Sequence, residues 1–269
     1  MKMHSFIPSK RFFPYLTWPE IATMPQREQV VIVQPAGAIE QHGPHLPLIV
    51  DAAISMGVLG KALERLEPEI PVYVLPCLYY GKSNEHCHFP GTITLSTQTL
   101  LAVLMEVAKS LYQAGFRKLV LMNGHGGQPQ IMEMAARDIH QQYPDFLVFP
   151  LFTWNVPHFA DELLTERELV SGIHAGDKET SVMLSLLPEQ VKMERAVREY
   201  PPELPADSVL SAEGQLPFAW LTHELSQSGV IGDGTTATKE KGDILLDHLS
   251  AGWVQVLRDI YQFRQPKVN

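Results

Sequence analysis

A run of β-branched residues at 30–33, Val-Val-Ile-Val, constrains the fold of this chain more than any other segment. Such a run is typical of a strand buried on both faces of a sheet, and the strand is predicted to stop at residues 35–37, Pro-Ala-Gly. Further short apolar segments alternate with segments of helical spacing; the predicted strands are 72–78, 118–122 and 147–152, and the predicted helices are 51–66, 97–114 and 129–142. Strands that alternate with helices pair in parallel through right-handed crossovers. The sequence therefore predicts an α/β fold with a mostly parallel central sheet.

The second half of the chain adds two helices and a long loop. A helix is predicted over 179–187, opened by Glu-Thr-Ser at 179–181 and ended by Pro188, and an amphipathic helix is predicted over 243–263. Residues 200–217 are rich in proline, which predicts a long loop over the surface. Loops of this kind often cover active sites.

Length and charge limit the possible functions. A chain of 269 residues with 45% hydrophobic content can bury a full core, so one domain spanning 1–269 is predicted. The formal net charge of −9 disfavours nucleic acid and anionic membranes as partners, because both attract positive charge. No membrane-length apolar run and no secretory signal pattern is present, so a cytoplasmic location is expected. Cys77 and Cys87 are then expected to be reduced thiols.

Polar motifs follow two of the predicted strands. Residues 40–42 (Glu-Gln-His) come after the first strand, and residues 123–127 (Asn-Gly-His-Gly-Gly) directly follow the strand at 118–122. In parallel sheets, ligands gather beyond the carboxyl ends of the strands, so these two motifs are expected to share a cleft. A third polar segment, residues 174–179 (His-Ala-Gly-Asp-Lys-Glu), lies just before a predicted helix.

The side chains of these motifs suit a site for two metal ions. Residues two apart in an extended segment point the same way, so Glu40 and His42 can present an oxygen and a nitrogen to one side. Asp51, at the start of the next helix, has two carboxylate oxygens and could bridge a pair of ions. His125, on its glycine-rich turn, would complete the ligand set of the first ion. Mixed nitrogen and oxygen ligands suit zinc, manganese or iron(II).

The same segments have other interpretations. Glu40 could be a solvated loop acid, and Asp51 could cap a helix. His125 could be a core histidine, or the turn at 123–127 could cradle a phosphate at a helix N-terminus. The chain would then be a nucleotide- or phosphate-binding α/β module whose acids hold Mg²⁺, although few basic residues surround the turn.

Two further segments also have structural alternatives. Asp177 could cap the following helix, and Glu179 could complement the dipole of that helix. The segment 86–88 (His-Cys-His) has ligands that are too few and too close together for a structural zinc site. Loop architecture or substrate contact is the favoured interpretation of that segment.

Taken together, the motifs resemble the creatininase (creatinine amidohydrolase) family. They occur in the family's order over roughly residues 10–260, as 40–47 with Asp51, 88–92 (His-Phe-Pro-Gly-Thr), 123–127, and 174–176 with 179–181 (Glu-Thr-Ser). The resemblance implies a three-layer α/β/α domain with a binuclear metal site, assembled as a homo-oligomer that is often a hexamer. It also implies that Glu40 and His125 hold one ion, that His42 holds the other and that Asp51 bridges them. By the same resemblance, His174 is the proton-transfer residue.

The chain departs from the creatinine-hydrolysing branch of that family at the metal site. That branch has an acidic ligand two positions after the histidine of the glycine turn, where this chain has Gly127. The second ion therefore needs another acid. Glu179 is the nearest motif carboxylate, and it could either bind that ion or orient His174 or a metal-bound water.

The expected substrate pocket departs as well. The branch has a tryptophan and an acid before the His-Ala-Gly motif, where this chain has Val170 and Ser171, whereas Trp154 matches an aromatic residue of the family pocket. Ser83 and Trp154 are expected to position the substrate. Retained metal ligands in a changed pocket predict the same reaction class on a different amide, because pocket side chains set specificity.

The leading hypothesis is a metal-dependent amidohydrolase that acts on a small-molecule amide. It would cleave a C–N bond of a cyclic amide, creatinine or a related compound, with a water activated by two divalent ions. His174 would transfer a proton to the leaving nitrogen. Formamide hydrolysis (deformylation) and peptide trimming in a cofactor pathway are the alternatives within the family.

Overall fold

The computed structural model describes residues 4–157, 161–205 and 207–266. Residues 1–3, on which part of the non-secretory interpretation depends, and both ends of the predicted domain lie outside the described residues. The helices are α1 Trp18–Ala22, α2 Val50–Arg65, α3 Thr97–Gln113, α4 Pro129–Gln142, α5 Glu166–Ser171, α6 Asp177–Leu186, α7 Thr222–Leu225 and α8 Lys239–Gln262. The strands are β1 Val31–Ala36, β2 Val72–Val74, β3 Lys118–Asn123, β4 Leu147–Phe152, β5 Arg198–Glu199 and β6 Gly232–Asp233.

A parallel sheet forms the centre of the molecule. Within the described ranges it has four strands, in the order β2-β1-β3-β4, and β5 pairs with β6 in a separate antiparallel ladder. β1 pairs with β3 along its full length, from Val31 beside Lys118 to Ala36 beside Asn123. Because the two strands end level, the segments that follow them leave the sheet side by side.

Side chains of the sheet alternate between two apolar cores. Val31 and Val33 of β1 join a core that includes side chains of α2, α6 and α8. Ile32, between them, joins a second core with side chains of α3 and α4. Because successive strand residues point to opposite faces, this alternation places helices on both sides of the sheet. The predicted three-layer α/β/α fold with a mostly parallel sheet is confirmed.

The first strand ends within the predicted stop at residues 35–37, because β1 includes Pro35 and ends at Ala36. Proline lacks the N–H that a central strand normally donates. The neighbouring strand β2 has already ended at Val74, which pairs with Val33, so the missing donor removes no ladder bond on that side. The carbonyl oxygen of Pro35 still accepts a hydrogen bond from the backbone N–H of Leu78 at 2.9 Å.

The helix that carries Glu179 begins earlier than predicted. It starts at Asp177 rather than at residue 179, because the carboxylate of Glu168 accepts a hydrogen bond from the backbone N–H of Asp177 at 2.7 Å. A carboxylate at this position also complements the helix dipole. Glu179 consequently lies in the first turn of α6, close to the sheet edge that carries the other motifs.

Two smaller predictions concern membranes and thiols. No helix in the described part of the chain is long and apolar enough to cross a bilayer. Cys77 is buried, Cys87 is exposed, and both are free cysteines.

Candidate active site

Two strand ends and one helix start converge at a single edge of the sheet. The backbone N–H of Gly124, just after β3, donates to the carbonyl oxygen of Ala36 at the end of β1, at 2.7 Å. Gly37 packs against α2 so closely that a Cβ on this residue would lie 2.6 Å from the backbone nitrogen of Ala52. This close approach, which glycine permits, brings Asp51 of α2 to the strand ends.

Glu40, Asp51 and His125 form one buried group at this edge. Nδ1 of His125 lies 3.0 Å from Oε2 of Glu40 and 3.4 Å from Oδ2 of Asp51. Each of the three residues is at most 3% exposed. One ligand atom from each residue lies within 4.8 Å of the other two, which is close enough for a shared metal ion. The motifs after β1 and β3 therefore share a cleft, as predicted.

His42, Asp51 and Glu179 form a second group. Nε2 of His42 lies 3.4 Å from Oδ1 of Asp51 and 4.0 Å from Oε2 of Glu179. Nδ1 of His42 donates to the backbone oxygen of Glu40 at 3.2 Å, so in the neutral ring the lone pair of Nε2 faces the two carboxylates. Oε2 of Glu179 also accepts a hydrogen bond from the N–H of Ala175 at 2.7 Å, which fixes the side chain. Asp51 belongs to both groups.

His174 lies between two other imidazoles. Its ring centroid is 4.1 Å from that of His42 and 4.2 Å from that of His86. Nε2 of His174 lies 2.7 Å from the backbone oxygen of Gln41, and Nδ1 lies 3.8 Å from Oε1 of Glu40. His174, Glu40 and His42 also form a third group that could hold an ion. The position suits either proton transfer, as predicted, or metal ligation.

The buried carboxylates set the charge of the histidines. Burial lowers the pKa of His42, but the carboxylate of Asp51 and its neighbours raise it to about 9. Burial also lowers the pKa of His125, and the carboxylate of Glu40 and its neighbours raise it well above the usual value. Burial and nearby imidazoles hold the pKa of His174 well below its usual value. The carboxylates therefore attract positive charge, and a divalent cation would compete with the imidazole protons for them.

Two atoms of the cluster lack hydrogen-bond partners. Nε2 of His42 and Oδ2 of Asp51 are buried, and neither forms a hydrogen bond with any described residue. An unpaired buried polar atom is costly, so both atoms are expected to meet a ligand. Because the donors are imidazole nitrogen and carboxylate oxygen, the residues fit a divalent transition metal.

Backbone N–H groups of the glycine turn at 123–127 already donate hydrogen bonds to other protein atoms. Besides the bond from Gly124 to Ala36, the N–H of His125 donates to the side-chain oxygen of Asn123 at 3.0 Å. The side-chain nitrogen of Asn123 donates in turn to the backbone oxygen of His125 at 2.8 Å. A phosphate cradle would need these N–H groups to point at the ligand. The turn instead aims the His125 ring at Glu40, which favours the metal interpretation.

A cavity of about 850 Å³ opens over the cluster. Residues 212–214 and 217–220 line it, so the end of the predicted proline-rich loop does border the site. Trp154 lines the wall, and Nζ of Lys178 lies 4.6 Å from the centre of its ring. Ser83 is fully buried, and its hydroxyl donates to Oε2 of Glu40 at 2.5 Å. The contact that the structure shows for Ser83 is therefore with Glu40, and its role in substrate binding stays a prediction.

Glu85, Glu213 and Lys178 line the cavity but are absent from the predicted site. Oε1 of Glu85 lies 3.1 Å from Nε2 of His125. Burial raises the pKa of Glu213. The neighbouring His86 lines the same cavity, with its Nε2 3.5 Å from Oε1 of Glu40. The sequence feature that could have identified Glu85 as a site residue is its position directly before the His-Cys-His segment.

Comparison with known proteins gives one family. The creatininase family model, described as creatinine amidohydrolase, matches residues 14–257. Creatinine amidohydrolase of Pseudomonas putida is 31% identical over 262 residues, which cover 92% of this chain and 96% of that protein. Mycofactocin precursor peptide peptidase of Mycobacterium tuberculosis is 34% identical over 217 residues, which cover 78% of each chain.

Comparison with solved structures also finds creatininases. A crystal structure of creatinine amidohydrolase (creatininase) has a TM-score of 0.76 at 30% identity, covering 94% of this chain and 99% of that one. Two more creatininases, a mutant of Zn–Zn type and an Mn form, each have a TM-score of 0.72 at 28% identity. Each comparison covers 93% of this chain and 98% of the other.

Proposed function

The chain belongs to the creatininase family of hydrolases, and on this basis we propose that it is a metal-dependent amidohydrolase with two divalent ions. Glu40 and His125 would hold one ion, and His42 and Glu179 would hold the other, with Asp51 shared between them. The two groups of clustered ligand atoms, which meet at Asp51, support this division. Zinc, manganese and iron(II) all suit the donors.

The observation that carries the proposal is that two buried atoms which face the cluster, Nε2 of His42 and Oδ2 of Asp51, form no hydrogen bond with any described residue. When bound, a pair of divalent ions acidifies water and polarises a carbonyl group. The protein holds the metal-binding side chains in place before the ions bind. Ser83 does so for Glu40 through its hydroxyl, and the N–H of Ala175 does so for Glu179.

His174 would move the proton. Its Nε2 is engaged by the backbone oxygen of Gln41, so Nδ1 is the atom that can accept a proton inside the site. Because burial and the nearby imidazoles lower the pKa of His174, a protonated His174 ring would release its proton readily to the leaving nitrogen.

The cavity favours an amide larger than creatinine. Its volume of about 850 Å³ is in the range that encloses a drug-sized ligand, whereas creatinine is a single small ring. Lys178 beside Trp154 offers a cation and an aromatic face to one substrate. A short peptide or a formamide derivative fits this lining, and creatinine itself is the second candidate. The cytoplasmic location and the homo-oligomeric assembly stay predictions.

A substrate panel tests the proposal. Protein reloaded with Zn²⁺, Mn²⁺ or Fe²⁺ would be assayed on creatinine, on N-formyl amino acids and on short peptides with free or amidated ends. We expect hydrolysis of at least one amide, with none after chelation and none by Asp51→Asn. Equal hydrolysis by the chelated protein, or none by the loaded protein on any member of the panel, would reject the proposal.

A further inference from the structure

Gly127 and Glu85 compete for the same space. A Cβ on Gly127 would lie 1.7 Å from Oε1 of Glu85 and 2.5 Å from Nε2 of His125. Distances this short are impossible for real atoms, so no side chain fits at 127 while the Glu85 carboxylate keeps its place. The next residue back, Gly126, is different, because its nearest neighbour atom would be 3.8 Å from an added Cβ. The constraint is therefore specific to position 127.

The Glu85 carboxylate lies behind the His125 ring, on the side away from the other acids. Oε1 of Glu85 lies 3.1 Å from Nε2 of His125, and the backbone oxygen of Lys82 lies 3.0 Å from the same nitrogen. On the opposite side of the ring, Nδ1 faces Glu40 at 3.0 Å. Nζ of Lys82 lies 3.8 Å from Oε2 of Glu85 and helps to hold that carboxylate.

We propose that Glu85 is a positioning residue for His125, and that Gly127 is glycine because the Glu85 carboxylate needs its space. The Nε2–H of His125 donates to the backbone oxygen of Lys82, and the negative charge of Glu85 beside it favours the proton on Nε2, which keeps the Nδ1 lone pair directed at the metal site. A carboxylate behind a metal-ligating histidine fixes the ring and raises its basicity. This inference rests on the metal site of the proposed function.

The inference also concerns the acid at the second ion. A carboxylate at position 127 would have to displace Glu85, so this chain cannot have both arrangements at once. The carboxylate that remains for His42 and Asp51 is that of Glu179, from α6. A site whose metal-binding acid comes from the glycine turn would have that acid at position 127, where this chain has glycine.

Metal affinity in a double-mutant cycle tests the inference without any substrate. Glu85→Ala, Gly127→Ala, the double variant and Glu85→Gln would be compared by chelator competition with Zn²⁺ and Mn²⁺, with Gly126→Ala as the matched control. We expect Glu85→Ala and Gly127→Ala each to weaken binding of one ion by about 10–100-fold. The double variant should be no weaker than either single variant, and Glu85→Gln should recover part of the affinity because its amide oxygen still places partial negative charge beside Nε2 of His125.

Unfolding of the chelated variants separates positioning from a purely structural role. Native metal affinity in Glu85→Ala, even with a lowered unfolding temperature of the chelated protein, would overturn the inference. Additive losses in the double variant would also overturn it, because the two positions would then act independently. An unsubstituted protein that binds no metal would overturn the proposed function and this inference together, whereas metal binding that is insensitive to Glu85 rejects this inference alone.

Discussion

Nε2 of His174 donates a hydrogen bond to the backbone oxygen of Gln41 at 2.7 Å, across 133 positions of sequence. A carbonyl oxygen can only accept, so the proton of the neutral ring is on Nε2 and the lone pair is on Nδ1. The lone pair faces Glu40, and this orientation makes His174 available for chemistry at the cluster.

His174→Ala is expected to retain both metal ions and to lose turnover by at least about 100-fold, the usual scale of a general acid–base group. Metal content and steady-state rates would be measured together, with His140→Ala as the control, because His140 lies in the last turn of α4 and does not line the cavity. A His174→Ala protein that loses metal would make His174 a ligand, and a fully active one would remove it from the mechanism.

Gly124→Ala is expected to destabilise the fold at the point where β1, β3 and α2 meet. A Cβ there would lie 2.2 Å from Oγ of Ser55 and 2.6 Å from the backbone oxygen of Asp51. Such overpacking costs about 1–3 kcal/mol. The free energy of unfolding from urea titration measures the loss, and Gly126→Ala in the same turn should change it little. Equal stabilities of the two variants would contradict the packing described here.

Lys178→Met is expected to raise KM for substrates that carry a carboxylate, by about tenfold, which corresponds to about 1.4 kcal/mol. Nζ of Lys178 lies 4.6 Å from the centre of the Trp154 ring, and both side chains line the cavity. The check compares KM for peptides with free and amidated ends, with the exposed Lys109→Met as the control. The same KM change for both peptide types would rule out recognition of a carboxylate by Lys178.

Glu199→Gln is expected to lower stability at neutral pH but not in acid. Oε2 of Glu199 accepts hydrogen bonds from Ser226 and Ser228, and Oε1 accepts one from Gln227. Burial raises the pKa of Glu199, but these hydrogen bonds outweigh it and lower the pKa below the usual value. The stabilisation is therefore present above the unfolded pKa of about 4.3 and is lost as pH falls through the folded pKa.

Urea unfolding of the Glu199→Gln variant at pH 7 and near pH 3 checks that sign. The gap between the unsubstituted protein and the variant should shrink in acid, whereas the exposed Glu189→Gln should show no gap at either pH. A gap of constant size would mean that the charge of Glu199 contributes nothing.

The sequence predicted the parts of the site that depend on strand ends. Glu40 and His125 follow strands that pair level in the sheet, and Asp51 opens the next helix, so local pattern and parallel topology were sufficient. β1 ends at Ala36, inside the predicted stop at 35–37, and Pro35 is tolerated in this strand because the neighbouring strand has already ended.

Other parts of the site depend on contacts that no local pattern encodes. Glu85 reaches His125 only because the loop after β2 folds back over the turn and Gly127 leaves room for its carboxylate. Lys178 meets Trp154 because α6 begins at Asp177, which depends in turn on the distant Glu168. These are tertiary relationships, and neither spacing nor composition predicts them.

Metal content of protein purified without chelator tests the central claim most directly. We predict about two transition-metal ions per chain, as in other two-metal hydrolases. Chelation should remove them and lower the unfolding temperature, since a ligand that binds the folded state stabilises it. Asp51→Asn, which alters the residue shared by both groups, should fail to retain either ion. Unsubstituted protein that is metal-free and cannot be loaded with Zn²⁺, Mn²⁺ or Fe²⁺ would contradict the binuclear site.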